Sequence, residues 1–409
     1  MSELLTCLVC GSTDLINYLN LGDQPLANSF PAKAEEELPK FPLRLNYCNS
    51  CSHNQLSELV DPEVLFKDYL YVSGTSNTLK DHFLSLARDC DSRLRGGSRH
   101  TVLSIGCNDA TDLESFQSIG FDVFGCDPAE NLRHLSAAKG IPVEVALWED
   151  KTAKKIGREF DVILGCNVLA HNYDPVGFLR TCEEWLAPEG LVVLEFPLWS
   201  NSVKSGDLGQ VYHEHISYMG IKSILDLAEN AGLFVEDVLE FPKIHGGTLR
   251  VVLRAGFSNH CEKVLNMLKT EKAQGFHDIA VYENFAKEVL GTVLKLTACI
   301  NMQQQLGMKV VGYGAAAKTS TIMNTAPGFL KIDYIVDDAP LKAGRFVPGT
   351  EIPILPTSAL EGQEGLLAIV LFAHNFKDEI KERIKLTRPR PGDILINIVP
   401  QVSTEDIHD

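Results

Sequence analysis

Two groups of side chains in this chain have the types and spacing for chemistry. The first is Tyr212-His213-Glu214-His215, with Tyr218 just beyond it. An imidazole titrating near neutrality can take a proton from a carbon beside a carbonyl, and hydroxyl or carboxyl donors can hold the enolate that forms. In an extended stretch His213 and His215 would point one way, and Tyr212 and Glu214 the other. The His-x-His spacing also suits a metal, although no third ligand is near in sequence. The plainer alternative is a buried polar loop held by its own hydrogen bonds. The second group is two Cys-x-x-Cys pairs, Cys7/Cys10 and Cys48/Cys51. Four thiolates in two knuckles form a tetrahedral zinc site, and the Gly or Ser after each pair permits the tight turn. Their rival reading is two chance pairs of reduced thiols, or a redox dithiol.

The elements that must position these groups alternate between helix and strand. A helical pattern carries Leu79, Phe83, Leu84, Leu86 and Ala87. Thr101-Val102-Leu103-Ser104-Ile105 then reads as a short buried strand ending in Gly106, with further strands expected at 121–126, 161–166 and 190–195. A long helical stretch, a connecting arm, is expected from about 260 to 306. The strand–turn–helix pattern restarts at Lys309 to Lys318, with later strands at 332–336, 367–372 and 394–399. This alternation predicts an α/β chain with two doubly wound Rossmann-like sheets and a small N-terminal zinc-binding domain. The expected boundaries are 1–75, 76–255 and 256–409. Between the cysteine pairs, Asn20-Leu21-Gly22-Asp23-Gln24-Pro25-Leu26-Ala27-Asn28 reads as loop.

Ligands of open parallel sheets sit at the carboxyl ends of the strands. The first strand delivers Gly106, Asn108 and Asp109 to that edge, and Asp127 ends the next strand about 20 residues later, where a carboxylate can accept from a ribose diol. A later strand ends in Asn167, with His171 close behind, and Leu147-Trp148-Glu149 could flank an adenine. The glycines do not spell G-x-G-x-x-G, so S-adenosylmethionine suits the spacing better than a dinucleotide; the bland alternative is turn punctuation. In the second sheet Gly312-x-Gly314-x-x-Ala317 with Asp337 resembles a dinucleotide pattern, so an NAD(P)-dependent oxidoreductase is the alternative function. Lys318 and the Thr/Ser run after it favour a phosphate contact with another nucleotide.

Composition narrows the partners. The chain has 409 residues, 45% hydrophobic and 22% charged, as soluble proteins with sizeable cores do. A third alternative is a zinc-ribbon protein binding RNA or a partner, and the net charge of −17 disfavours nucleic acid. The Met1-Ser2-Glu3-Leu4-Leu5 start lacks a signal pattern, and no run is long enough to span a membrane. Eleven cysteines in apolar segments suit a reducing, cytoplasmic setting.

Taken together, these motifs resemble the three-domain S-adenosylmethionine-dependent sugar C-methyltransferases. The resemblance runs nearly end to end, through the four cysteines, Asp68-Tyr69-Leu70-Tyr71-Val72-Ser73-Gly74-Thr75-Ser76, Gly106-Cys107-Asn108-Asp109, Asn167-Val168-Leu169-Ala170-His171, Tyr212-His213-Glu214-His215, His245-Gly246-Gly247-Thr248-Leu249-Arg250, Gly312 to Lys318, and Val336 to Lys342. It implies methylation of a nucleotide-linked 4-keto-deoxyhexose, expected to be the dTDP sugar and at C3, in deoxysugar biosynthesis. His215 would be the base, assisted by Tyr212 and Glu214, with Tyr71 and His171 facing the sugar. Gly106, Asn108, Asp109, Asp127 and Asn167 would hold the cofactor. His245, Gly247, Arg250, Lys318 and Lys342 would serve the sugar nucleotide, which the C-terminal sheet helps to hold. Zinc would be structural, and the chain a monomer or weak homo-oligomer. Two positions depart from the family pattern: Ala110 replaces a glycine in the cofactor loop, and His374 stands where a tryptophan is common.

Overall fold

A computed structural model describes residues 2–66, 74, 77–96, 99–242, 244, 247–325, 328 and 330–408. The chain forms two compact units that interleave in sequence. One comprises residues 1–16, 46–200 and 216–279, the other 17–45, 201–215 and 280–409.

The first unit is built on a seven-stranded sheet. Its order is Leu233–Phe241, Thr248–Ala255, Leu186–Pro197, Phe160–Cys166, Thr101–Ile105, Asp122–Cys126 and Val143–Glu144. The strands from Leu186–Pro197 to Val143–Glu144 run parallel, and the first two form an antiparallel edge. Unbroken apolar runs explain the central strands: Val102, Leu103, Val162, Ile163, Leu164, Val192, Val193 and Leu194 are all fully buried, as strands covered on both faces must be. One apolar layer holds Leu79, Phe83, Leu86 and Ala87 of the helix Asn77–Arg93. The opposite layer includes Phe178, Leu179, Ile224, Leu227 and Ala228, and the cysteine knuckles pack against it. The carboxyl ends of the parallel strands thus stand together, with Gly106, Asp127 and Asn167 on the turns that leave them.

The second unit carries a six-stranded sheet in the order Ile354–Pro356, Ile335–Asp337, Lys309–Tyr313, Leu367–Leu371, Ile394–Asn397 and Ser403–Asp406. All but the last strand are parallel. The two expected sheets are therefore present, and their strands fall close to the expected positions.

Two local expectations are corrected. Residues 20–25 are not loop: they complete the strand Leu15–Pro25, whose alternating Leu19 and Leu21 are buried, and only Leu26–Asn28 turn. The arm from 260 to 306 is not one helix but two, Glu262–Ala273 and Ile279–Gln305, parted at Gly275, whose φ is +84°. That left-handed backbone interrupts the ladder of helix hydrogen bonds. Among the described residues, no helix is long and apolar enough to cross a membrane.

Candidate functional site

The four cysteines come together as the spacing requires. Their sulfur atoms lie within 4.8 Å of one another, with Cys7 Sγ 3.5 Å from Cys51 Sγ and Cys10 Sγ 3.6 Å from Cys48 Sγ. Four thiolates at zinc bond length in a tetrahedron stand about 3.8 Å apart, so the cradle fits the ion. Each knuckle closes through a residue of positive φ, Gly11 at 72° and Ser52 at 63°. The amide of Gly11 donates to Cys7 O and that of Ser52 to Cys48 O. Asn230 Nδ2 donates to Val9 O, tying one knuckle to the helix Ile221–Asn230.

At the carboxyl edge of the seven-stranded sheet, Gly106 adopts φ +65°, and a Cβ there would lie 2.5 Å from Val168 Cγ2. Asn108 and Ala110 follow at φ 54° and 61°, so the loop makes a chain of left-handed turns. Ala110 therefore occupies a conformation that favours the glycine it replaces. Asp127 accepts from the amide of Asn108 on Oδ2 and from that of Ala129 on Oδ1, each at 2.8 Å. Burial raises its pKa and the two amides pull it back. One lone pair on each oxygen remains for a ribose diol. Asp109 is buried, and its Oδ2 accepts from Thr111 Oγ1 and Lys139 Nζ. Its Oδ1 has no hydrogen-bond partner among the described residues. An orphaned buried carboxylate oxygen beside a ribose acceptor matches the ammonium group of S-adenosylmethionine, so the donor set fits that cofactor. Trp148 is buried in the core, whereas Leu147 remains exposed. Asn167, at φ 57°, donates its amide to Glu195 O, and His171 ends the short turn Leu169–His171 behind it.

Glu195 anchors a network that the sequence did not reveal. Its carboxylate accepts from Arg250 Nε at 2.7 Å and pairs with His82 Nε2 at 2.8 Å. Burial opposes its ionisation, but His82 and Arg250 together hold its pKa below the usual value. Arg250 is 1% exposed, also faces Asp89 and lies over the Phe241 ring. The structure thus directs Arg250 into an ion-pair network. Gly247 turns just before it at φ 112°. Tyr71 and His245 lie outside the described residues.

In the second unit the Tyr212 to His215 segment is a turn, not extended: the His215 amide donates to Tyr212 O. The turn brings together the two side chains expected to diverge. Tyr212 hydroxyl and His215 Nε2 are 2.7 Å apart, and His215 Nδ1 lies 2.8 Å from Gln210 O. A carbonyl only accepts, so Nδ1 carries the proton of the neutral ring and Nε2 presents its lone pair to the phenol. His213 sits apart from that pair, with Nε2 against Phe41 O, and burial lowers its pKa. Glu214 is 2% exposed, and burial pushes its pKa up to about 7. Its Oε1 accepts from Asn28 Nδ2 at 3.0 Å, a partner that sequence reasoning missed.

On the six-stranded sheet, Asp337 accepts from the Ala315 amide on Oδ2 and the Ala339 amide on Oδ1, and Lys342 Nζ lies 3.5 Å away. Lys342 also donates to Ala315 O. Asp337 thus accepts two backbone amides as Asp127 does, and differs from it in having the Lys342 ammonium beside it. Lys318 is half-buried; burial lowers its pKa while Asp207 opposes the shift. Its Nζ lies 3.5 Å from His374 Nε2, which pairs with Asp207 at 2.9 Å.

Comparison with known proteins divides the chain into three matched regions. They are a "Putative zinc binding domain" over residues 7–66, a "Methyltransferase domain" over 77–238 and a "C-methyltransferase C-terminal domain" over 243–400. The C-methyltransferase NovU of Streptomyces niveus is 28% identical over 400 residues, covering 96% of this chain and 95% of that protein. A ubiquinone biosynthesis O-methyltransferase of Cereibacter sphaeroides is 31% identical over 98 residues, covering 22% of this chain and 39% of that enzyme. Among solved structures, an S-adenosylmethionine-dependent methyltransferase from Clostridium acetobutylicum overlays 45% of this chain and 94% of its own, at 10% identity and a TM-score of 0.35.

Proposed function

We propose that this S-adenosylmethionine-dependent C-methyltransferase methylates C3 of a nucleotide-linked 4-keto-deoxyhexose, with dTDP as the expected nucleotide. The observation that carries this reading is the Gln210–His215–Tyr212 chain of hydrogen bonds. It fixes the histidine tautomer and leaves a basic Nε2 whose neighbour is a hydroxyl donor. Such a pair suits removal of a proton from a carbon beside a ketone. His215 Nε2 takes the C3 proton, and Tyr212 hydroxyl turns to donate to the developing enolate oxygen. Glu214, titrating near neutrality in a buried site, supplies a second donor or acceptor. When bound, S-adenosylmethionine would supply an electrophilic methyl group to C3 and leave as S-adenosylhomocysteine. Asp127 and Asp109 hold that cofactor through its ribose and ammonium groups. Zinc, bound by Cys7, Cys10, Cys48 and Cys51, has a structural role. Lys318 and Lys342 are proposed to hold the nucleotide's phosphates.

The test is product analysis. Incubation of the full chain with methyl-labelled S-adenosylmethionine and a panel of 4-keto sugar nucleotides should give one product with a new carbon–carbon bond at C3. Methylation on oxygen, or no product with any keto sugar, would remove the substrate reading. Asp127→Ala should weaken S-adenosylmethionine binding by about 1.5–3 kcal/mol, the loss of a charge-assisted acceptor.

A further inference from the structure

We propose that Asn28 is a positioning residue for this chemistry: its side-chain amide fixes the buried Glu214 carboxyl group and directs that group's exchangeable proton to Oε2. The inference rests on the reading of Glu214 given above.

Asn28 follows the strand Leu15–Pro25 in a tight turn, in which the Ser29 amide donates to Leu26 O and the Phe30 amide to Asn28 O. Its Nδ2 donates to Glu214 Oε1 at 3.0 Å. An amide N–H only donates, so Oε1 accepts in either protonation state of the acid. The carbonyl oxygen of a carboxylic acid is a better acceptor than its hydroxyl oxygen, so the bond from Asn28 favours Oε1 as the carbonyl and Oε2 as the site of the hydrogen when Glu214 is protonated. That oxygen is buried and has no hydrogen-bond partner among the described residues. A carboxyl group so held offers one defined O–H, for which nothing among the described residues competes.

The two segments are held in register by consecutive residues of one helix, Ala317–Thr325. Ser320 Oγ donates to Ala27 O at 2.8 Å, the carbonyl just before Asn28. Thr321 Oγ1 donates to Val211 O at 2.9 Å, three residues before Glu214. Further along the same turn, Arg345 donates to Phe30 O and the Phe346 amide to Pro31 O. Gln24 Nε2 reaches Thr325 Oγ1 on the same helix. Such redundancy exceeds what an exposed turn needs, and it fixes the donor before substrate arrives, as catalysis by preorganised groups requires.

The titratable neighbours are engaged elsewhere. Tyr212 and His215 bond each other, and His213 bonds Phe41 O. On the helix Ala317–Thr325, Lys318 lies beside His374 and Asp207. Burial, its own amide and Asn28 are the influences on the Glu214 carboxyl group.

The experiment titrates that carboxyl group directly. Full-length protein labelled with ¹³C at the glutamate carboxyl carbon is followed by NMR against pH, with the Glu214→Gln spectrum identifying the signal. Asn28→Ala should make Glu214 about a five- to tenfold weaker acid, the worth of one hydrogen bond to the ionised form. Asn28→Asp keeps the turn-forming shape but removes the N–H donor, and should shift the titration the same way. In turnover, the limb of the pH profile that follows Glu214 should move with the NMR titration while S-adenosylmethionine affinity stays unchanged. An unmoved Glu214 titration in both folded variants would overturn the proposal. If the wild-type protein methylates no keto sugar, the substrate reading falls, and the NMR titration still decides the role of Asn28. If it does methylate and the titration is unmoved, the role of Asn28 alone falls.

Discussion

Replacing Gly106 by alanine should destabilise the cofactor-binding unit in two separable ways. The backbone is left-handed at φ +65°, which costs an alanine about 1 kcal/mol relative to glycine. The new Cβ would also stand 2.5 Å from Val168 Cγ2, and overpacking of that kind costs about 1–3 kcal/mol. The sum, about 2–4 kcal/mol, corresponds to a fall in melting temperature of about 4–16 °C for a unit of this size. Val168→Ala in the same chain makes room for the methyl group and should return the steric part while leaving the backbone part. A double-mutant cycle on thermal unfolding measures that coupling, expected at about 1–3 kcal/mol. Calorimetry with S-adenosylmethionine runs in parallel, because the loop from Gly106 to Asp109 is proposed to hold the cofactor. A Gly106→Ala protein melting within 1 °C of wild type, or showing no coupling to Val168, would refute the close approach on which the loop geometry depends.

The remaining predictions concern charge and metal. Arg250→Ala should cost about 3–5 kcal/mol in unfolding experiments, because it leaves Glu195 buried without its guanidinium; an unchanged melting temperature with a raised KM for the sugar nucleotide would make Arg250 a substrate ligand instead. Glu214 has its pKa raised from 4.5 to about 7 in the folded chain, so the stability it contributes is present below about pH 4.5 and is lost as pH rises through 7. Glu214→Gln should therefore match wild type near pH 4.5 and be more stable at pH 8, by up to about 3 kcal/mol, in paired thermal melts. Elemental analysis should find one zinc ion per chain, and Cys48→Ser should lose it and lower the melting temperature of the first unit; metal-free protein with unaltered stability would contradict the site.

Much of the fold was legible because its signals are local. The run Thr101–Ile105 ends at Gly106 and Leu367–Leu371 is apolar throughout, and each has the length and makeup of a buried parallel strand. The zinc knuckles were legible for the same reason, since Gly11 and Ser52 mark their turns within a residue of each pair. Other features depend on distant partners. Period-two reasoning sent Tyr212 and His215 to opposite faces, but the segment turns, and Thr321 holds its start from far along the chain. Residues 20–25 carry Gly, Asp and Pro and looked like loop, yet Leu19 and Leu21 alternate inward and sheet pairing overrides the local signals. The resemblance gave Arg250 to the sugar nucleotide, whereas in the structure it pairs with Glu195 and Asp89 of the same unit. Asn28 gave no signal, because an asparagine in a turn is ordinary until Glu214 stands beside it.

The most direct test of the central claim is exchange at the carbon. Wild-type protein, a dTDP-linked 4-keto-deoxyhexose and S-adenosylhomocysteine are incubated in D₂O, and the C3 proton is followed by NMR. Deprotonation alone suffices for exchange, so the measurement isolates the base from methyl transfer. The account predicts loss of the C3 proton signal with wild type, and no loss with His215→Ala, which should still bind S-adenosylmethionine with wild-type affinity. Exchange at the wild-type rate in His215→Ala, or none in a wild-type protein that nonetheless methylates the sugar, would contradict it.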